Sequence, residues 1–156
     1  MIATDRTAAV LRALARECAA LESWSALVDT ERSALLARDA DAVQEIAARK
    51  LRAADELAAL MAGRNAALDA AGYSAAQGGL RGFTRANTQA AHLWQRLQQL
   101  ATAAGAANRR CGQLIDAGLQ QTARALAILR QDTLTSLYSA DGQPAVARGA
   151  RALATA

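Results

Sequence analysis

Aromatic side chains make up only 3% of this chain of 156 residues, and proline occurs once, histidine once and cysteine twice. So few aromatics leave a core to be built mainly from Leu and Ala, and neither Phe83 nor Trp94 stands beside a basic cluster, as a base-stacking platform for nucleic acid requires. Pro144 lies near the end, so no proline interrupts a helix over the preceding length. His92 has no cysteine or carboxylate at helical spacing to activate it, and it reads as structural or solvent-facing. Cys18 and Cys111 occupy apolar helical positions far apart and lack further metal ligands, so they read as buried hydrophobes in a reducing compartment rather than a disulfide or a metal site. No enzyme chemistry, metal or cofactor is expected.

Long apolar runs are missing as well. The longest uncharged stretch near the middle, Leu97 to Asn108, is too short to cross a bilayer. At the N-terminus Arg12 and Arg16 break the apolar pattern that a signal peptide needs, so a cytoplasmic location is expected. Gly78-Gly79-Leu80-Arg81-Gly82 has neither the lysine nor the preceding strand of a phosphate-binding loop.

What is present is helical: 53% apolar content and 21% charge, dominated by Ala, Leu, Arg and Gln, mark an all-α protein of one domain. Residues 1–70 hold nine basic and eleven acidic groups, whereas 71–156 hold nine basic and three acidic, a change from −2 to +6. The arginines of the second half are scattered, which suits a solvated helix face better than a nucleic-acid site.

Three long helices are expected. The first, from about Thr4 to Ala37, carries Leu11, Leu14, Cys18, Leu21, Trp24, Val28 and Leu35 on one side. Asp39 and Asp41 then offer acceptors and negative charge at the start of a second helix over about 40–70. Its stripe is Val43, Ile46, Leu57, Leu60 and Leu68, with Lys50 and Arg64 packing their stems while their heads reach water. Together 1–70 form an antiparallel, coiled-coil-like hairpin. Four glycines between Gly72 and Gly82 make 71–83 a connector, with room for one short turn after Ser74.

A long third helix over 84–142 follows. Its stripe runs from Leu93 through Leu97, Leu100, Ala104, Cys111, Ile115, Leu119, Leu126 and Leu129 to Leu137, roughly 65 Å at the helical rise per residue. Such a rod suits gripping another protein better than enclosing a small substrate. An amphipathic partner helix would lie along Leu119, Leu126, Leu129, Leu134 and Leu137. Gly105, Gly112 and Gly118 inside the helix lower its stability and permit close approach by another helix. Asn108 stands in the stripe either as a polar group fixing register or as a solvent-facing side chain. Residues 143–156 read as a flexible tail.

In this setting Asn108-Arg-Arg-Cys-Gly112-Gln-Leu114-Ile115 resembles the Asn, Gly and Leu-Ile pattern in the last long helix of the FlgN family of flagellar type III export chaperones. Leu137-Tyr138-Ser-Ala-Asp141-Gly142 resembles that family's Tyr-to-Gly ending, and the hairpin with Leu27 to Leu36, Asp39, Val43, Ile46 and Lys50 matches in order. The resemblance covers roughly residues 10–145. It implies structural roles for Asn108, Gly112, Leu114, Ile115 and Gly142. It further implies cargo among the flagellar hook-associated, or hook-filament junction, proteins, whose C-terminal helices would be shielded from premature assembly. Docking on the cytoplasmic domain of the export-gate membrane protein is implied through Tyr138. The competing reading is an amphipathic scaffold or granule-coating protein that binds apolar surfaces broadly.

Overall fold

A computed structural model describes residues 2–137, and the surroundings of side chains 4–130. The described residues form only helices: α1 (Ile2–Ala37), α2 (Ala40–Ala70), a single 3-10 turn (Ala75–Gln77), α3 (Gly79–Ala86) and α4 (Thr88–Leu137). They divide into two units, one ending at Gln113 and the other beginning at Leu114.

Within the first unit, α1 and α2 form the expected hairpin, and the chain reverses between them in two residues. Arg38 takes the left-handed conformation, with φ 57°. Its amide donates to Leu35 O at 3.2 Å and that of Asp39 to Ala34 O at 3.0 Å, which satisfies two carbonyls that the end of α1 would otherwise leave bare. Asp39 then accepts the Ala42 amide at 3.0 Å and so starts α2. The end of α2 repeats the device with Gly72 in the left-handed position: Gly72 N–H donates to Asp69 O and Tyr73 N–H to Leu68 O, at 3.0 and 2.9 Å.

The glycine-rich segment departs from expectation. A 3-10 turn does follow Ser74, but the last part of the connector, from Gly79, is helical and forms α3, and α4 starts at Thr88 instead of continuing back to Thr84. Apolar anchoring outweighs the glycine cost here. Phe83 is buried and packs edge-on against Tyr73, their rings 5.3 Å apart and 84° to one another. Gly79 is required at the start of α3, because a Cβ there would lie 2.6 Å from the Ser74 carbonyl oxygen. Asn87 is extended, and its side chain accepts the Ala90 amide at 2.9 Å, which opens α4.

The main core joins Val10, Leu14 and Cys18 of α1, Leu68 of α2, Phe83 of α3, and Ala90 and Leu97 of α4. Further buried positions, Val28, Ala34, Ile46, Ala104 and Cys111, continue the packing. Both thiols are buried and unpaired as expected. Cys18 Sγ donates to Leu93 O and Cys111 Sγ to Val28 O, each at 3.6 Å, so α4 is pinned to α1 at two levels.

Two ionic contacts are buried between the arms of the hairpin. Arg64 Nη1 meets Glu17 Oε2 at 2.8 Å, and Lys50 Nζ meets Glu31 Oε2 at 2.6 Å. Each cation also faces an indole, Arg64 over Trp94 and Lys50 over Trp24, both 5.7 Å from the ring centre. The expectation that these heads reach water is therefore corrected: carboxylates one step across the hairpin hold them inside. The glutamates are fourteen residues apart on α1 and the cations fourteen apart on α2, in the opposite direction. A slip of one heptad would set Glu17 against Leu57 or Ala71, so the pairs disfavour wrong registers.

Candidate functional site

The stripe along α4 changes character with position. In the first unit Leu97, Ala104 and Cys111 are buried, with Leu93 and Leu100 half-buried beside them. In the second unit the same spacing leaves its large apolar side chains in solvent: Leu119 is 64% exposed, Leu126 51%, Ile128 60% and Leu129 61%. Ile115, at 38%, begins the series. Five of the eight exposed large hydrophobic residues among the described ones thus fall between 115 and 129, a concentration that makes this stretch the candidate interaction surface.

Spacing organises this surface. Ile115, Leu119, Thr122, Leu126 and Leu129 follow one another at intervals of four and three residues, so they share one side of the helix. Thr122 interrupts the apolar series only formally, since its hydroxyl donates to Gly118 O at 3.0 Å and its polar group is satisfied by its own helix. Ile128 stands apart from this stripe, since at about 100° per residue it falls on nearly the opposite side of the helix from Leu119 and Leu126. The sequence pattern alone passed over Ile128 because it sits one position before Leu129, off the three-and-four count. Between 114 and 130 the only ionisable groups are Asp116, Arg124 and Arg130. Fully burying an exposed leucine or isoleucine is worth about 1.5–3 kcal/mol, so a partner covering three of them gains substantially.

The other expected site residues are placed as follows. Asn108 is exposed, yet its Oδ1 accepts from Lys50 Nζ at 2.6 Å and so ties α4 to the Glu31 ion pair. Gly112 is half-buried, with nothing within 4 Å of where a Cβ would stand, and the same holds for Gly118. Gly105 meets only the end of the Arg109 side chain, at 3.6 Å. Leu114 is half-buried and Ile115 exposed. Leu134 and Leu137 belong to α4, but their side chains lie outside the described residues, as do Tyr138, Gly142 and the tail 143–156. His92 is exposed.

The electrostatics of the first unit are those of structural groups. Burial raises the pKa of Glu17, and Arg64 only partly opposes this; Glu17 Oε1 is buried without a hydrogen-bond partner. Burial also raises the pKa of both thiols, which keeps them protonated and poorly nucleophilic. No group of three or more histidine, cysteine or carboxylate side chains able to hold a metal occurs among the described residues. No described helix is long and apolar enough to cross a membrane.

Buried ion pairs within the hairpin, together with a long helix that leaves large apolar side chains exposed, define a helical protein without the groups of an enzyme or metal site among its described residues. The chain matches the family model described as FlgN protein over residues 1–145, and it belongs to the FlgN family of flagellar export chaperones. No curated protein and no solved structure matches it.

Proposed function

We propose that this chain binds the C-terminal helical segments of flagellar hook-associated proteins in the cytoplasm, prevents their premature assembly and delivers them to the export gate. The observation that carries the reading is the exposed apolar face at Leu119, Leu126 and Leu129. An amphipathic cargo helix laid along it would cover side chains that otherwise face water, and Leu134 and Leu137 follow farther along the same helix. The cargo helix would be occupied by this contact and withheld from its own assembly partners.

Membership of a chaperone family supports the general role, and the resemblance around Tyr138 supports docking on the cytoplasmic domain of the export-gate membrane protein. Release needs no nucleotide in this scheme. Ordering of flexible partners offsets part of the interaction energy and leaves an affinity that a second binding partner can overcome.

The test is co-purification of the full chain with hook-associated proteins. Leu126→Asp combined with Leu129→Asp should reduce capture at least tenfold while circular dichroism and thermal unfolding of the first unit stay unchanged. Undiminished capture would remove this face from consideration. Equal binding to lipid or polymer particles, with no preference for hook-associated proteins, would favour the coating reading.

A further inference from the structure

We propose that the first unit carries a second docking groove, separate from the leucine face of α4, for an acidic amphipathic helix of another protein. Three shallow depressions of about 530, 580 and 300 Å³ follow one another along the α1–α2 hairpin and share Arg16, Ser23, Ala53, Glu56 and Leu60 among their linings. On α1 the lining steps through Ala9, Ala13, Arg16, Ala20, Ser23 and Leu27, and on α2 through Arg49, Ala53, Glu56, Leu60, Gly63 and Ala67. Both series advance by four and three residues in alternation.

That spacing is the one that makes holes for the side chains of a further helix. The α1 series stands one residue before the buried positions Val10, Leu14, Glu17 and Val28, hence about 100° around the helix from the side that faces the core. The α2 series likewise stands one residue before Arg64 and Leu68. Half of these positions are alanine or glycine, and nothing lies within 4 Å of where a Gly63 Cβ would be, so an incoming backbone can approach closely there. From Ala9 to Leu27 the groove offers about 27 Å, the length of a helix of about 18 residues.

Charge identifies the occupant. Arg12, Arg16, Arg49 and Arg52 line the depressions against the single carboxylate of Glu56, and all four arginines are exposed. None of the four makes an ion pair among the described residues. A helix with small or leucine side chains on one face and carboxylates on its flanks complements both the floor and the rim. A second copy of the chain would bring these arginines against themselves across a twofold axis. The chain's own last segment, 143–156, carries Arg148 and Arg151 and no acidic residue, so it has the wrong sign.

The experiment uses the full chain and two synthetic 21-residue helical peptides, both with Leu and Ala at heptad spacing, one flanked by Glu and the other by Lys. In fluorescence anisotropy the Glu peptide should bind the native protein at least tenfold more tightly than the Lys peptide. Arg16→Glu with Arg52→Glu should reverse that preference. Gly63→Leu should block the Glu peptide without lowering the melting temperature, because the added side chain enters open space. Leu119→Asp with Leu126→Asp should leave peptide affinity unchanged. Equal binding of both peptides, or loss of binding in the Leu119→Asp, Leu126→Asp variant instead of the Arg16→Glu, Arg52→Glu variant, would overturn the proposal. So would a homodimer, seen by sedimentation, that competes with the peptide. None of these readouts involves hook-associated cargo, so the groove and the cargo face stand or fall separately.

Discussion

Glu17 and Arg64 show how much depends on single side chains inside a bundle with so few aromatics. Glu17 Oε1 has no partner, and burial raises the carboxyl's pKa above its ordinary value. The folded state therefore holds a proton on Glu17 at a pH where the unfolded state has released it. Stability from this group is full below the unfolded pKa and is lost as pH rises through the folded one. Glu17→Gln removes that dependence. The difference in unfolding free energy between native and variant protein, from urea titrations, should shift in favour of the native protein as pH is lowered from 7 towards 4.5. A constant difference would show that Glu17 is not perturbed. Lys50 acts differently, since its Nζ serves Glu31 and Asn108 at once and links α2 to both α1 and α4.

Helices here are positioned by their ends as much as by their stripes. Left-handed residues at Arg38 and Gly72 stop α1 and α2, while Asp39 and Asn87 start α2 and α4. The glycines within and between these elements serve opposite ends. At Gly63 a methyl group meets nothing within 4 Å, so Gly63→Ala should raise stability by about 1 kcal/mol through helix propensity alone. At Gly79 the same methyl would lie 2.6 Å from Ser74 O and 2.7 Å from the Tyr73 carbonyl carbon, and Gly79→Ala should cost about 2–3 kcal/mol through forced backbone displacement. Thermal and urea unfolding of the two variants check both signs, and a shared sign would contradict the packing described for α3.

At the scale of the molecule, the two units differ in what holds them. The first has a continuous core and two buried ion pairs; the described part of the second is a helix whose large apolar side chains are exposed. Backbone hydrogen bonds without tertiary cover open at low free energy. Amides of 114–130 should therefore exchange with solvent at least a hundredfold faster than those around Leu14 and Leu68, by mass-spectrometric hydrogen exchange. Added cargo should slow exchange in the former region, and comparable protection of both regions in the free protein would count against an open face.

The periodicity of apolar residues sufficed for the helical class, the hairpin with its turn at Arg38-Asp39, and the long last helix, because each rests on local propensity and on side chains repeating along one element. Tertiary structure alone decided three other matters. Phe83 and Tyr73 turn a glycine-rich connector into α3, since a ring-to-ring contact between neighbouring segments outweighs a local cost. Lys50 and Arg64 go inside because carboxylates from α1 meet them there, which no reading of α2 by itself reveals. Leucines on the α4 stripe are buried or half-buried before Gln113 and exposed from Leu119 onward, because a stripe records what a helix is able to cover and only packing determines whether a neighbour is there to be covered.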